Sequence, residues 1–122
     1  MNEVIIGIGS NIDAELNISK MLEILKHEVD VLKVSSFVKT KPIGIINQPD
    51  YTNGAVKINT AYNREELRTV LKKIEDDLGR NRNTPKFGPR CIDLDIVVWN
   101  HEIVDEDYYT RDFLRNSVGE VT

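Results

Sequence analysis

Hydrophobic residues cluster into four short runs that predict β-strands. Residues 3–9, 31–38 and 54–60 are rich in β-branched side chains, and a fourth apolar run lies within residues 88–99. Runs of this length and composition, bounded by Gly, Pro, Asn or Ser, are typical of strands. The first run ends in the sequence GIGSN, where the glycines indicate a close backbone approach rather than a phosphate-binding turn, because no G-K-[ST] follows.

Two further segments show the spacing of amphipathic helices. The first lies between the first two strands, with apolar residues at Ile18, Met21, Leu22, Leu25 and Val29. The second follows the third strand, with apolar residues at Leu67, Val70, Leu71, Ile74 and Leu78. Asn63 and Gly79 stand where a cap and a helix terminator are expected. The order β-α-β-β-α-β predicts an α+β, ferredoxin-like fold: one domain over residues 1–122, with an antiparallel sheet and both helices on one face.

Two aspartates occupy alternate positions of the fourth strand. Asp93 and Asp95 lie in GPRCIDLDIVVW, and alternate strand residues share a face, so their carboxylates should project together from backbone positions about 7 Å apart. Acids in an apolar run are costly unless a counter-charge compensates them, and Mg²⁺ is the usual ion for an oxygen-only site. The alternative is a solvent-facing edge strand. The apolar residues on both sides favour a central strand and the metal site.

Basic residues are concentrated just before this strand. Arg80, Arg82, Lys86 and Arg90 lie in one polar loop together with Phe87. One interpretation is a solvated loop at a helix end, where cations suit the helix dipole. The other is a clamp for phosphate groups, because arginines offer paired donors to phosphate oxygens. The neighbouring aspartates favour the clamp, with Phe87 covering a nucleotide base.

A long stretch rich in turn residues, TKPIGIINQPDYTN, precedes the third strand. Loops of this length in a compact domain are often functional. Tyr51 offers a ring that can stack on a heterocycle, and Asn53 offers an amide that can pair with its edge. With Phe113, they would form a flat aromatic slot beside the aspartates.

Charge and composition restrict the partners. A net charge of −4 and a pI of about 5.2 argue against nucleic acid as the partner. The single cysteine, Cys91, excludes an internal disulfide and predicts a reducing, cytoplasmic location. The sequence contains no apolar run long enough for a membrane span. The expected partners are therefore small anionic molecules, and the expected state is a monomer, with a dimer as the alternative.

Four segments resemble the hydroxymethyldihydropterin pyrophosphokinase family, in the order VIIGIGSN, TKPIGIINQPDYTNGAV, IEDDLGRNR and FGPRCIDLDIVVW. The resemblance runs in register from residue 4 to residue 104, and several independent motifs in register are more specific than any one of them. Members of this family transfer a diphosphate from ATP to the hydroxymethyl group of a reduced pterin in folate biosynthesis, releasing AMP. The resemblance implies that reaction and the ferredoxin-like fold.

The resemblance also implies roles for individual residues. It implies that Asp93 and Asp95 hold two Mg²⁺ ions and act in catalysis with Arg82 and Arg90. It implies a pterin pocket formed by Thr40, Pro42, Ile43, Tyr51, Asn53 and Phe113. It implies contacts with ATP, the co-substrate, from Glu75, Arg82, Lys86, Phe87, Arg90, Ile96 and Arg111. Catalysis would then come from positioning and charge neutralisation around an in-line attack on the β-phosphorus.

The sequence also departs from the family pattern. Lys86 and Phe87 stand where typical members carry an Arg and a Trp. After His101 the chain is shorter than usual, and the proline-histidine segment whose His reaches the ATP phosphates is missing. We interpret the chain as a short form without the usual C-terminal part, and weakened ATP binding is a hypothesis that follows.

Three functions remain in competition at this point. The favoured one is an active, Mg²⁺-dependent pyrophosphokinase. The second is a non-catalytic pterin- or nucleotide-binding paralogue with the same fold, and the third is an unrelated ferredoxin-like module that binds RNA or a regulatory metabolite. The presence of both aspartates, Arg82 and Arg90 favours the enzyme, because a pure binding protein has little need for a metal pair.

Overall fold

Six strands and four helices make up the structure, a computed structural model that describes residues 1–42, 44, 47–79 and 91–122. The elements are, in chain order, β1 (Asn2–Ser10), α1 (Ala14–Glu28), β2 (Asp30–Val34), β3 (Val38–Thr40), β4 (Tyr51–Thr60), α2 (Arg64–Asp77), β5 (Asp93–Trp99), β6 (Glu102–Ile103), α3 (Asp107–Thr110) and α4 (Asp112–Val121). Within these residues no helix has the length and apolar composition needed to cross a membrane.

The sheet is antiparallel, with strand order β2-β4-β1-β5-β6. β3 pairs with the first residues of β4, so the strand predicted over residues 31–38 is in fact two strands. The interruption has a local cause, because the Ser35 hydroxyl accepts a hydrogen bond from the Ala55 backbone N–H at 2.8 Å. The predicted ferredoxin-like, α+β arrangement is confirmed, with two short strands added to it.

The sheet buries residues on both faces. On one face Val4, Ile6 and Ile58 pack with residues of α1 and α2, including Met21 and Leu67, all of them buried. Two-sided burial explains why β1 reads as an almost continuous apolar run rather than as an alternating pattern. The prediction that the first two helices share a face is confirmed.

The second face is covered by α4, which lies outside the two predicted helices. Leu114, Val118 and Val121 lie at helical spacing and pack on the face that carries Ile5 and Val97. A helix of ten residues carries few apolar positions, so its periodicity is weak in the sequence. Helices therefore cover both faces of the sheet.

The ends of α2 agree with the sequence prediction. The Asn63 side chain accepts a hydrogen bond from the Glu66 backbone N–H at 2.8 Å, and the Glu66 carboxylate accepts one from the Asn63 N–H at 2.9 Å. These reciprocal bonds form a capping box. Gly79 follows the helix with a φ of 90°, a left-handed conformation that glycine adopts without strain.

The far end of α4 is tied to the break between β2 and β3. The Glu120 carboxylate accepts hydrogen bonds from the Ser36 backbone N–H at 2.9 Å and from the Ser36 hydroxyl at 2.8 Å. These bonds hold the pKa of the Glu120 carboxyl below its usual value. The contact links the helix that covers the second face to the edge of the sheet.

Gly54 provides a test of how tightly β4 is packed. A Cβ atom at Gly54 would lie 2.5 Å from two ring atoms of Phe37, so Gly54→Ala should lower the free energy of unfolding by about 1–3 kcal/mol. Gly119→Ala is the matched control, because no atom lies within 4 Å of its Cβ position and a helical alanine should stabilise by about 0.5–1 kcal/mol. Urea denaturation measures both. Equal stability of Gly54→Ala and the parent protein would contradict the packing.

Candidate active site

A cleft of about 260 Å³ opens on the α4 side of the sheet, where the end of β1 meets the beginnings of β4 and β5. We call it the first cleft. It is lined by Gly7, Ile8, Gly9, Thr40, Lys41, Tyr51, Asn53, Gly54, Asp93, Asp95, Val97, Asp105, Asp107, Arg111, Phe113 and Leu114. Residues from distant parts of the chain therefore surround one small space.

The glycines of β1 keep the floor of this cleft open. Gly9 lies opposite Asn53 on β4 and opposite Asp93 on β5, while Gly7 lies opposite Asp95. A Cβ atom at Gly9 would lie 3.1 Å from the Asn53 Oδ1 atom, and one at Gly7 would lie 3.2 Å from the Val97 Cγ2 atom. The GIGSN glycines thus permit close approach, as the sequence indicated.

Four of the six residues expected in the pterin pocket line the first cleft: Thr40, Tyr51, Asn53 and Phe113. The Asn53 amide donates a hydrogen bond to the Thr40 hydroxyl at 2.5 Å, which fixes the orientation of the amide. Pro42 is half-buried and is not among the lining residues. Ile43 lies outside the described residues.

A second cleft, of about 670 Å³, lies between α2 and the aspartate end of β5. It is lined by Arg64, Arg68, Leu71, Lys72, Glu75, Asp93, Leu94, Asp95, Ile96, Val104, Asp105, Glu106 and Asp107. Four aspartates, at positions 93, 95, 105 and 107, line both clefts. The two clefts therefore meet at the Asp-Leu-Asp sequence of β5.

β5 lies between β1 and β6, as the central-strand interpretation predicted, but the part of β5 that carries the aspartates is less enclosed within the described residues. β6 pairs only with Val98 and Trp99, so Asp93 and Asp95 have a neighbouring strand on the β1 side alone within the described residues. Asp95 is exposed and Asp93 is half-buried. The two carboxylates share a face as predicted, and contact with solvent reduces the cost of placing acids there.

Glu75 supports the strand between the two aspartates. Its side chain is buried, with 3% relative exposure, and its Oε2 atom accepts a hydrogen bond from the Leu94 backbone N–H at 2.7 Å. A buried carboxylate bonded to a backbone donor is a strong local constraint. Glu75 and Ile96, both expected to contact ATP, also line the second cleft.

Oxygen donors at the junction of the clefts suit a hard cation such as Mg²⁺. Among the described residues, no three His, Cys, Asp or Glu side chains converge closely enough to hold an ion by themselves. Mg²⁺ is commonly bound by one or two carboxylates together with waters and substrate phosphates rather than by a full protein cage. Asp93 and Asp95 fit that pattern.

The expected clamp residues Arg82, Lys86, Phe87 and Arg90 lie outside the described part of the chain. Arg111 lines the first cleft, and its guanidinium lies 3.7 Å from the Asp107 carboxylate. Of the basic residues expected to contact phosphate, Arg111 is the one that lies within the described residues.

The sequence pattern did not point to several residues that line the clefts. Lys41 lines the first cleft, and Arg68 and Lys72 line the second. The spacing of four between Arg68 and Lys72 on a predicted helix was a signal that they share a face. No sequence pattern pointed to Asp105 and Asp107, because their positions depend on the turn that follows β6.

The sequence matches one known protein family over most of its length. Residues 5–122 match the family described as 7,8-dihydro-6-hydroxymethylpterin-pyrophosphokinase (HPPK). The chain belongs to this family. The match extends beyond the four segments that carried the resemblance and includes the whole of α4.

Individual members of the family show the same similarity. The chain is 38% identical over 109 residues to the 2-amino-4-hydroxy-6-hydroxymethyldihydropteridine pyrophosphokinase of Bacillus subtilis, covering 87% of this chain and 65% of that protein. The enzyme of the same name from Aquifex aeolicus is 33% identical over 105 residues, covering 85% and 65%. A folate synthesis bifunctional protein of Arabidopsis thaliana is 36% identical over 107 residues, covering 85% and 22%. The chain thus spans less than two thirds of each.

The bond from Leu94 to Glu75 leads to a stability prediction. Glu75→Met removes the acceptor at nearly constant side-chain volume and leaves the Leu94 N–H buried without it, so the free energy of unfolding should fall by about 1–3 kcal/mol. Glu75→Gln is the control, since its amide oxygen can still accept the bond and the loss should be smaller. Denaturant titration of both variants measures the difference. A Met variant as stable as the Gln variant would contradict the role given to this bond.

Proposed function

We propose that the protein is an ATP-dependent pyrophosphokinase acting on a pterin. It transfers the terminal diphosphate of ATP to the hydroxymethyl group of 6-hydroxymethyl-7,8-dihydropterin and releases AMP, a reaction of folate biosynthesis. The observation that carries the proposal is the junction of the two clefts at Asp93 and Asp95. Two substrates in separate clefts would meet where carboxylates can hold cations against the phosphates.

The pterin would occupy the first cleft. Its volume suits a small ligand, and Tyr51 and Phe113 provide aromatic surfaces for a flat heterocycle. The Asn53 amide is held by Thr40 and would pair with polar atoms at the pterin edge. A pre-oriented amide discriminates well between ligands, because a ligand without matching donors and acceptors leaves the amide unpaired.

ATP would occupy the second cleft, next to Glu75 and Ile96. Arg82, Lys86, Phe87 and Arg90 are proposed to complete its binding site, and Arg111 is proposed to contact phosphate from the pterin side. Asp93 and Asp95 would hold two Mg²⁺ ions, which would neutralise charge on the phosphate oxygens and orient the triphosphate. Glu75 would act through Leu94, by fixing the backbone that presents both carboxylates.

The transfer itself requires little covalent chemistry from the protein. The pterin hydroxyl oxygen attacks the β-phosphorus and gives up its proton, and the bond from that phosphorus to the oxygen bridging it to the α-phosphorus breaks. AMP leaves with the bridging oxygen. The two clefts would contribute mainly by holding the hydroxyl and the β-phosphorus in line, which removes most of the entropic cost of bringing them together.

Three further expectations stay predictions: a cytoplasmic location, a monomer rather than a dimer, and a single domain over residues 1–122. Small-molecule substrates, without nucleic acid, agree with the acidic overall charge.

An assay for AMP formation tests the proposal. The protein is incubated with ATP, MgCl₂ and the hydroxymethyl pterin, and AMP is separated by ion-exchange chromatography. AMP should appear in a 1:1 ratio with pyrophosphorylated pterin, and its formation should stop when EDTA removes the metal. Absence of AMP despite measurable pterin binding would overturn the enzymatic function.

Asp95→Asn tests the role of the aspartate pair. Loss of one carboxylate charge at the metal site should lower turnover by at least about 100-fold, while the Kd of the pterin in the absence of nucleotide should change little. Asp77→Asn is the control, because Asp77 is exposed on α2 and lines neither cleft. Steady-state kinetics and pterin fluorescence titration measure the two quantities. Turnover of Asp95→Asn close to that of the parent protein would refute the metal assignment.

A further inference from the structure

A pair of opposite charges lies where the two clefts meet. Asp107 is the first residue of α3, and Arg111 connects this short helix to α4. Both residues line the first cleft, and Asp107 also lines the second. The Arg111 guanidinium lies 3.7 Å from the Asp107 carboxylate. The cation that is proposed to contact phosphate therefore already has an anionic partner within the chain.

Hydrogen bonds on both sides of Asp107 hold the segment that carries it. The Asp105 carboxylate accepts a hydrogen bond from the Asp107 backbone N–H at 2.9 Å. The Arg111 backbone N–H donates to the Asp107 carbonyl oxygen at 3.0 Å. The Arg115 guanidinium, one turn into α4, donates to the carbonyl oxygen of Tyr108 at 3.0 Å. These bonds keep the Asp107 carboxylate close to Arg111.

The charged pair contributes little to the stability of the protein. The Asp107 side chain is 46% exposed and the Arg111 side chain is 31% exposed, and ion pairs in contact with solvent add little to the free energy of folding. A phosphate group can carry more charge than a carboxylate, and it also accepts paired hydrogen bonds from a guanidinium. A phosphate can therefore displace Asp107 from Arg111, but it binds less tightly than it would to an arginine without a partner.

We propose that Asp107 is a positioning residue that acts through Arg111 and weakens the binding of the phosphorylated product. The inference rests on the proposed function, in which Arg111 contacts phosphate from the pterin side. The hydroxymethyl pterin carries no phosphate, so Asp107 does not oppose its binding. The product carries a diphosphate, which must displace Asp107 from Arg111 and then lies beside its negative charge. Asp107 thus discriminates against the product in the first cleft and promotes product release.

Binding measurements on Asp107→Asn test the inference. The ligands are the hydroxymethyl pterin and its pyrophosphorylated product, each with MgCl₂. Loss of the competing charge should lower the Kd of the product about three- to tenfold, while the Kd of the hydroxymethyl pterin stays unchanged. Inhibition of AMP formation by added product should become stronger by the same factor. A merely structural role for Asp107 would not tighten the binding of one ligand alone.

A double-mutant cycle shows whether the effect passes through Arg111. Arg111→Gln should raise the Kd of the product, and in that background Asp107→Asn should change this Kd by less than about twofold. An equally large effect of Asp107→Asn in the Arg111→Gln background would overturn the inference, because the carboxylate would then act through the general field of the cleft.

Asp112→Asn is the matched control. Asp112 forms an ion pair of the same kind with Arg115 on α4 and lines neither cleft, so this variant removes the same charge away from the site. It should bind both ligands as the parent protein does. Unchanged or weaker binding of the product by Asp107→Asn would overturn the inference and leave the proposed function standing. A parent protein that forms no AMP from ATP and the hydroxymethyl pterin would overturn the proposed function itself.

Discussion

The pairing of β1 with its two neighbours determines which side chains meet at the active site. β1 pairs with β4 on one side and with β5 on the other, and Gly9 lies opposite Asn53 and opposite Asp93. A shift of either neighbour by one residue would turn its side chains to the other face of the sheet. The register is fixed by burial, because the same shift would turn Val56 and Ile58 of β4, or Leu94 of β5, away from the side of the sheet that packs against α1 and α2. The strand register that packs the core therefore also determines the position of the site.

The same strands form part of the core near their middle and line the first cleft near one end. Near the middle of the sheet, Ile5 and Val97 pack under α4, whereas at the end of β1 the residues of that face are glycines and polar side chains around a cleft. α4 covers only part of this face, and Phe113 at its start borders the open part. A ligand in the first cleft would therefore rest on rigid sheet rather than on a loop, which favours a pre-formed site.

α2 connects the core to the chemistry of the second cleft. Leu67 and Leu71 are buried against the sheet, while Glu75, one turn further along, is buried and bonded to Leu94. Movement of this helix would therefore move the backbone between the two aspartates. The polar stripe of the same helix, with Arg68 and Lys72, lines the cleft. One helix thus sets both the position of the proposed metal ligands and the charge presented to the proposed nucleotide.

The sequence by itself determined the order of the main elements, the capped α2 and the shared face of Asp93 and Asp95. These features depend on local periodicity and on short spacings, which the chain carries in any context. Only the tertiary structure decided that α4 covers the second face, that among the described strands β1 alone pairs with the aspartate end of β5, and that Glu75 holds the strand between the aspartates. Those features depend on contacts between residues that are not neighbours in the chain, such as Glu75 with Leu94. No local sequence pattern identifies the partner of a buried hydrogen-bond donor.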